Sequence, residues 1–216
     1  MKYELVIFDL DGTILNTLGD LAGAVNHALS AHGFPTHDVE DIRRFIGNGV
    51  SNLMRRALPA GTSDATHAEV LAEFKAYYRE HMNDLTRPYD GIIDLLGALR
   101  AAGVKVGVNS NKFDAALQNL CHIHFSGQYD MAMGECETTP RKPDPTAAQR
   151  IMATLGAAPE RSIYVGDSAV DIETARNAGM DAAWVGWGFR TRAEMADINL
   201  PNAFDSVNAL KDFLLS

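Results

Sequence analysis

The sequence predicts an α/β chain: a three-layer core on a five-stranded, mainly parallel sheet, with an α-helical subdomain inserted after the first strand. Three observations lead there. Short apolar runs recur without the alternation of a half-exposed strand, as in strands buried on both faces. From the second run on, they alternate with helical patterns that stop at glycine. Between the first and second runs lie about 90 residues with helical periodicity only, far too many for one connection.

The five runs are residues 5–8, 104–108, 129–133, 162–165 and 182–185. Strand, helix, strand in this order means parallel strands with helices on both faces. Ile92, Leu95, Leu96 and Leu99 share one face of a helix that Gly103 ends. A second helix is expected to start from an Asp144 cap with Pro145 in its first turn and to stop at Gly156. A third stops at Gly179. In the insert, Leu18, Leu21, Val25 and Leu29 form one apolar face, Val50, Leu53, Met54 and Leu58 a second, and Val70, Leu71, Phe74, Tyr77 and Tyr78 a third. Residues 1–15 and 85–216 are therefore expected to form the sheet domain and 16–84 the helical one, with hinges near 14–16 and 84–88.

Composition narrows the function. The 216 residues suffice for one domain with a large insertion. A hydrophobic share of 46% with 22% charged residues is that of an ordinary globular protein. Acidic residues outnumber basic ones 28 to 19, and no Lys/Arg-rich run occurs, which argues against a nucleic-acid partner. Cys121 and Cys136 lack metal-type spacing and read as reduced thiols. The first apolar run is only four residues long before an acid, too short for a signal peptide, and no segment approaches the roughly 20 apolar residues of a membrane span. A cytoplasmic protein with no membrane partner is expected, as monomer or homodimer.

In an open parallel sheet, ligands bind beyond the carboxyl ends of the strands. The first strand runs into Asp9 and Asp11, the second into Asn109, Ser110, Asn111 and Lys112. The loop after the third holds Lys142, and the fourth ends in Gly166 and Asp167, with Asp171 one helical turn on. Residues 9 and 11 point to one side of a strand, so two sheltered acids face each other at a cost. A hard cation would relieve them, and an all-oxygen site with few carboxylates suits Mg²⁺. A lysine and a hydroxyl beside such a site describe a place for phosphate. Taken singly, each residue has an ordinary use: Asp11 and Gly12 as a turn, Asp167 or Asp171 at a helix start, Lys142 as a loop lysine, Ser110 as a cap. Their convergence at successive strand ends favours the site. The pair His122 and His124 has no third ligand at zinc-like spacing. Trp187 and Phe189 could border the site or anchor a loop.

These residues also resemble a family. DLDGT at 9–13, Ser110 followed by Asn111 and Lys112, KPDP at 142–145 and GDSAVDIETARNAG at 166–179 are similar, in order, to the segments of haloacid dehalogenase-like phosphohydrolases. The resemblance implies a Rossmann-like core with a helical cap of the first type. It implies Asp9 as the nucleophile that forms an aspartyl-phosphate, and Asp11 as general acid and then base. It implies Mg²⁺ held by Asp9, the Asp11 carbonyl and Asp167, with Asp171 supporting them. Ser110 and Lys142, grouped with Asn111, would hold the phosphate of a small phosphorylated metabolite. The cap segment IRRFIGNGVSNLMRRAL, the stretch YYREHMNDLTRPYDGI and VGWGFR look most like phosphoglycolate phosphatases, with Arg43, Arg44 or Asn48 to meet a substrate carboxylate. Asn16 and Asn109 depart from the family's usual Asp and apolar residue, which leaves the substrate open. Phosphosugar phosphatase, β-phosphoglucomutase-like phosphotransfer and pyrophosphatase activity are the alternatives within the superfamily. A phospho-accepting receiver domain is the alternative outside it, disfavoured by the long insert and by Asp11.

Overall fold

A computed structural model describes residues 2–200 and 202–216. In chain order the elements are β1 (Leu5–Phe8), β2 (Leu15–Asn16), α1 (Leu18–Ala31), α2 (Val39–Phe45), α3 (Val50–Ala57), α4 (Asp64–His81), β3 (Arg87–Pro88), α5 (Ile92–Ala101), β4 (Lys105–Phe113), α6 (Asp114–Phe125), β5 (Met131–Glu135), α7 (Thr146–Leu155), β6 (Ser162–Gly166), α8 (Ala169–Ala178), β7 (Asp181–Val185), β8 (Ala203–Phe204) and α9 (Val207–Leu215). The chain divides into two compact units, Met1–Leu15 with Pro88–Ser216, and Asn16–Arg87. Among the described residues no helix is long and apolar enough to cross a membrane.

The larger unit is built on a six-stranded sheet in the order β5-β4-β1-β6-β7-β8, every neighbouring pair parallel. All four residues of β1 are fully buried, as its continuous apolar run requires. Leu5 and Ile7 pack with Tyr164, Trp184, Ile151 of α7 and Ile172 of α8 in one core cluster. Val6 and Phe8 alternate to the opposite face. There α5 packs on β4 and α9. The register sets Phe8 level with Val108 on one side and Val165 on the other. Asp9 N–H donates to Val165 O at 2.9 Å, one step further along. Residues 9, 109–110 and 166–167 therefore leave adjacent strands at the same edge.

Several elements differ from expectation. The sheet has six strands, not five, because β8 is only two residues long and shows no period of its own. The third strand begins at Met131 rather than Tyr129; just before it, Asp130 donates its N–H to Val106 O at 2.8 Å and takes Val106 N–H on its carboxylate at 2.8 Å. Helix α6 is new; its buried residues Leu117, Leu120, Cys121 and Phe125 do follow helical spacing. Helix α7 starts at Thr146 with Pro145 as its cap residue, and Asp144 lies one position further out, accepting Thr146 N–H at 2.9 Å. The longest departure is β4, which runs on to Phe113 through a register shift after Asn109. Such irregularities bend a strand and re-aim its side chains, and this one contains Ser110, Asn111 and Lys112.

The smaller unit is helical. Leu21, Val25 and Leu29 of α1 are buried, as are Leu53 and Met54 of α3 and Val70, Phe74 and Tyr78 of α4, and α1 packs against α4. Leu18, Val50, Leu71 and Tyr77 are only half-buried. The short α2, with Ile42 as its buried apolar residue, had no readable face. Buried Asp20 closes the unit: its carboxylate accepts Leu85 N–H at 2.9 Å, Thr86 N–H at 2.9 Å and Thr86 Oγ1 at 2.7 Å.

Candidate active site

Asp9 is the first residue beyond β1 and is 7% exposed. Lys142 Nζ lies 2.7 Å from Asp9 Oδ1 and 2.7 Å from Asp171 Oδ1. The Asp9 contact is an ion pair without hydrogen-bond geometry, so Asp9 Oδ1 is a fully buried oxygen that accepts no well-directed hydrogen bond. Beneath them, Tyr164 places its ring 5.7 Å from Lys142 Nζ and donates its hydroxyl to Asn109 O at 2.9 Å. One oxygen each of Asp9, Asp167 and Asp171 lies within 4.8 Å of the others, and all three residues are buried.

Asp167 is anchored at both ends. Its carbonyl accepts Trp184 Nε1–H at 2.8 Å and its Oδ2 accepts Phe189 N–H at 2.6 Å. The same loop donates Trp187 Nε1–H to Thr13 O at 3.0 Å. It lies so close that a methyl on Gly188 would overlap the Gly12 carbonyl oxygen and Asp167 Cβ. Gly12 itself has φ +86°, a turn that favours glycine. Gly188→Ala is expected to cost about 1–3 kcal/mol of stability and roughly 10²-fold in kcat/KM through displacement of Asp167. Urea unfolding and steady-state assays check this; unchanged values would show that the loop does not clamp the site.

Asp171 serves two neighbours. Its Oδ1 takes Lys142, while its Oδ2 accepts Ser168 N–H at 3.0 Å and Ser168 Oγ at 2.6 Å, closing a capping box at the start of α8. Asn111, expected beside the phosphate, is occupied otherwise: its Oδ1 accepts Lys142 N–H at 2.7 Å and its Nδ2 donates to Lys142 O at 3.3 Å. Its amide braces the Lys142 segment. Ser110 is buried, and its Oγ accepts Lys112 N–H at 3.2 Å. Lys112, given no role by its sequence position, grips Asp11 at 2.8 Å to Oδ1 and 3.2 Å to Oδ2. In the helical unit, Arg43 turns its guanidinium onto Glu40 at 2.9 and 2.8 Å. Asn48 lies in the left-handed region with φ +59°, between Gly47 and Gly49. Asn16 accepts Leu18 N–H at 3.3 Å at the start of α1.

The electrostatics follow from this packing. Burial pushes the Asp9 carboxyl up to about 7; Lys142 pulls it down, and Asp171 and Asp11 add repulsion. Burial likewise drives Asp167 well above the usual carboxylate range, with repulsion from Asp171 and Asp9 adding to it and the Phe189 N–H opposing. Burial disfavours the Lys142 charge, but Asp171 and Asp9 outweigh it and hold its pKa well above the ordinary value. Tyr89 is also raised, by burial first and then by the charges of Asp167 and Asp11. Trp187 and Phe189, read from the sequence as a possible site border or loop anchor, sit in the loop that donates to Thr13 O and to Asp167 Oδ2, whereas Tyr89 carries no such signal.

Lys142 offsets one of the three buried carboxylates, and Lys112 is matched by Asp11. Ionising Asp9, Asp167 and Asp171 together would leave two negative charges uncompensated, which is why burial and mutual repulsion hold Asp9 and Asp167 toward the protonated form, and Asp9 keeps an oxygen without a directed donor. A hard divalent cation fits that charge and that all-oxygen donor set.

Comparison with known proteins shows the family. The family model for haloacid dehalogenase-like hydrolase matches residues 6–185. A phosphoglycolate phosphatase of Aquifex aeolicus is 30% identical over 214 residues, covering 98% of this chain and 99% of that one. Another, from Thiobacillus denitrificans, is 34% identical, covering 93% and 90%. The solved structure of a candidate phosphoglycolate phosphatase from Lactobacillus delbrueckii subsp. bulgaricus superposes with a TM-score of 0.94 at 35% identity over the whole of both chains. With an acid pair at the end of β1, a buried lysine beside it and relatives of this kind over nearly its full length, the chain belongs to the haloacid dehalogenase-like hydrolases and is a phosphatase.

Proposed function

We propose that the protein is a Mg²⁺-dependent phosphomonoesterase that works through an aspartyl-phosphate on Asp9, with 2-phosphoglycolate as its substrate. The observation that supports this most is the pairing of two acids with two lysines: Asp9 lies against Lys142, and Asp11 against Lys112. Asp9 attacks phosphorus while the ester P–O bond breaks, and Asp11 passes a proton to the leaving oxygen. Asp11 then takes a proton from the water that attacks the acyl phosphate, which frees Asp9 and phosphate. Ser110 and Lys142 hold the phosphoryl oxygens, and Asn111 keeps Lys142 in place. Asp9, the Asp11 carbonyl and Asp167 are the proposed Mg²⁺ ligands, supported by Asp171, whose own oxygens already serve Lys142 and Ser168. Bound there, Mg²⁺ supplies the positive charge that lets an anionic nucleophile approach an anionic phosphate.

The substrate rests on the names of the relatives and on the helical unit. Arg43 and Asn48 are the residues proposed for the substrate carboxylate. Arg43 already sets its guanidinium on Glu40, so binding there exchanges one carboxylate for another. The test is a phosphate-release assay over 2-phosphoglycolate, hexose phosphates and pyrophosphate, with and without a chelator. The highest kcat/KM is expected on 2-phosphoglycolate, and release should stop with chelator and return with Mg²⁺. A preference for a sugar phosphate or pyrophosphate would overturn the substrate, and release indifferent to chelator would overturn the metal.

A further inference from the structure

Lys112 is a buried cation to which the scheme above assigns no step. Its side chain is 6% exposed, and that of Asp11, with which it pairs, is 19% exposed. A buried ammonium is tolerated only where its charge is met, and here both oxygens of one carboxylate meet it, at 2.8 and 3.2 Å. The main chain ties it down as well: Lys112 N–H donates to Ser110 Oγ, the hydroxyl proposed for the phosphate. Lys112 lies in the part of β4 where the register shifts, so the irregularity of that strand aims it. The two lysines thus divide the two acids. Lys142 sits on Asp9 and Lys112 on Asp11, 101 residues away in sequence.

We propose that Lys112 is a positioning residue for proton transfer: paired with ionised Asp11 and anchored to Ser110, it holds this carboxyl in register with the phosphate, and when Asp11 carries its proton one oxygen keeps the ammonium while the other presents its O–H to the leaving oxygen. This rests on the proposed role of Asp11. A general acid works only within hydrogen-bond reach of the oxygen it protonates, and a carboxylate free to rotate spends little time there. The sequence stretch SNK joins phosphate contact and acid placement in three consecutive residues.

The test uses two substrates of nearly the same shape, neither carrying a carboxylate. Phenyl phosphate has a leaving oxygen that needs a proton; p-nitrophenyl phosphate has one that leaves well without it. Lys112→Met is expected to lower kcat/KM on phenyl phosphate by ~30-fold or more and on p-nitrophenyl phosphate by less than ~5-fold. Asp11→Asn should show the same split. The ratio of the two substrates is taken on one preparation, so partial misfolding cancels, and kcat/KM reports the steps through phosphoenzyme formation that Asp11 assists as acid. Equal losses on both substrates, or no loss, in Lys112→Met while Asp11→Asn splits them would overturn the role of Lys112 and leave that of Asp11 standing. No split in Asp11→Asn would overturn the general-acid reading and this proposal with it.

Discussion

Asp9→Asn is expected to abolish phosphate release from every substrate, by at least ~10⁴-fold, while the protein stays folded. The amide is nearly isosteric but offers no anionic oxygen to attack phosphorus, and the route through a covalent intermediate closes with it. Stability should move the other way. The Asp9 carboxyl is raised from 3.8 to about 7 by burial, so the folded state binds its proton more tightly than the unfolded state does. For a raised carboxyl pKa, ionisation works against folding, and the penalty grows as pH rises from about 4 to 7. The metal-free variant should therefore be more stable than metal-free wild type at pH 8, on the order of 1–2 kcal/mol, and no more stable below pH 4. Phosphate release and chemical unfolding in chelator at the two pH values check both halves. Release at the wild-type rate would remove Asp9 as nucleophile.

Lys142→Met should have the second largest effect, on activity and stability together. Lys142 is 6% exposed and bridges Asp9 and Asp171, with Asp167 close by. Removing one partner of a buried ion pair leaves the other uncompensated, at a cost of about 3–5 kcal/mol. Activity should fall at least ~10³-fold if, as proposed, the same ammonium restrains the nucleophile and faces the phosphate. The sign of the pH dependence separates charge from packing. The raised pKa of Lys142 makes its contribution complete at every pH below its unfolded value near 10.5, so wild type shows no loss of it at neutrality. In the variant the carboxylates lose their counter-charge and take up protons more readily, so the destabilisation should be largest at pH 8 and shrink toward pH 5. Equal destabilisation at both would assign it to lost packing.

How much was legible follows from what each feature depends on. β1, β6 and β7 could be read because strands covered on both faces must be apolar throughout. The helices α5, α7 and α8 could be read because their apolar residues repeat at helical spacing and glycine ends them. Two-residue β8 and seven-residue α2 are shorter than any period that could mark them. Just before β5, Asp130 meets Val106, a contact between separate parts of the chain that no local period marks.

The sequence by itself determined the class of fold and the gathering of Asp9, Lys142, Asp167 and Asp171. Strand ends in a parallel sheet share one edge whatever the side chains do, and the family segments stand in order along the chain. Only the tertiary structure decided which acid each lysine serves, that Asn111 braces Lys142, that Asp171 divides itself between Lys142 and Ser168, and that Phe189 N–H fixes Asp167. Those pairings span from 3 positions, Ser168 to Asp171, to 133, Asp9 to Lys142, and turn on a register shift in β4 and a glycine at 188. Hydrogen bonds of this kind depend on fractions of an ångström between separate segments, and local sequence pattern carries no record of such distances.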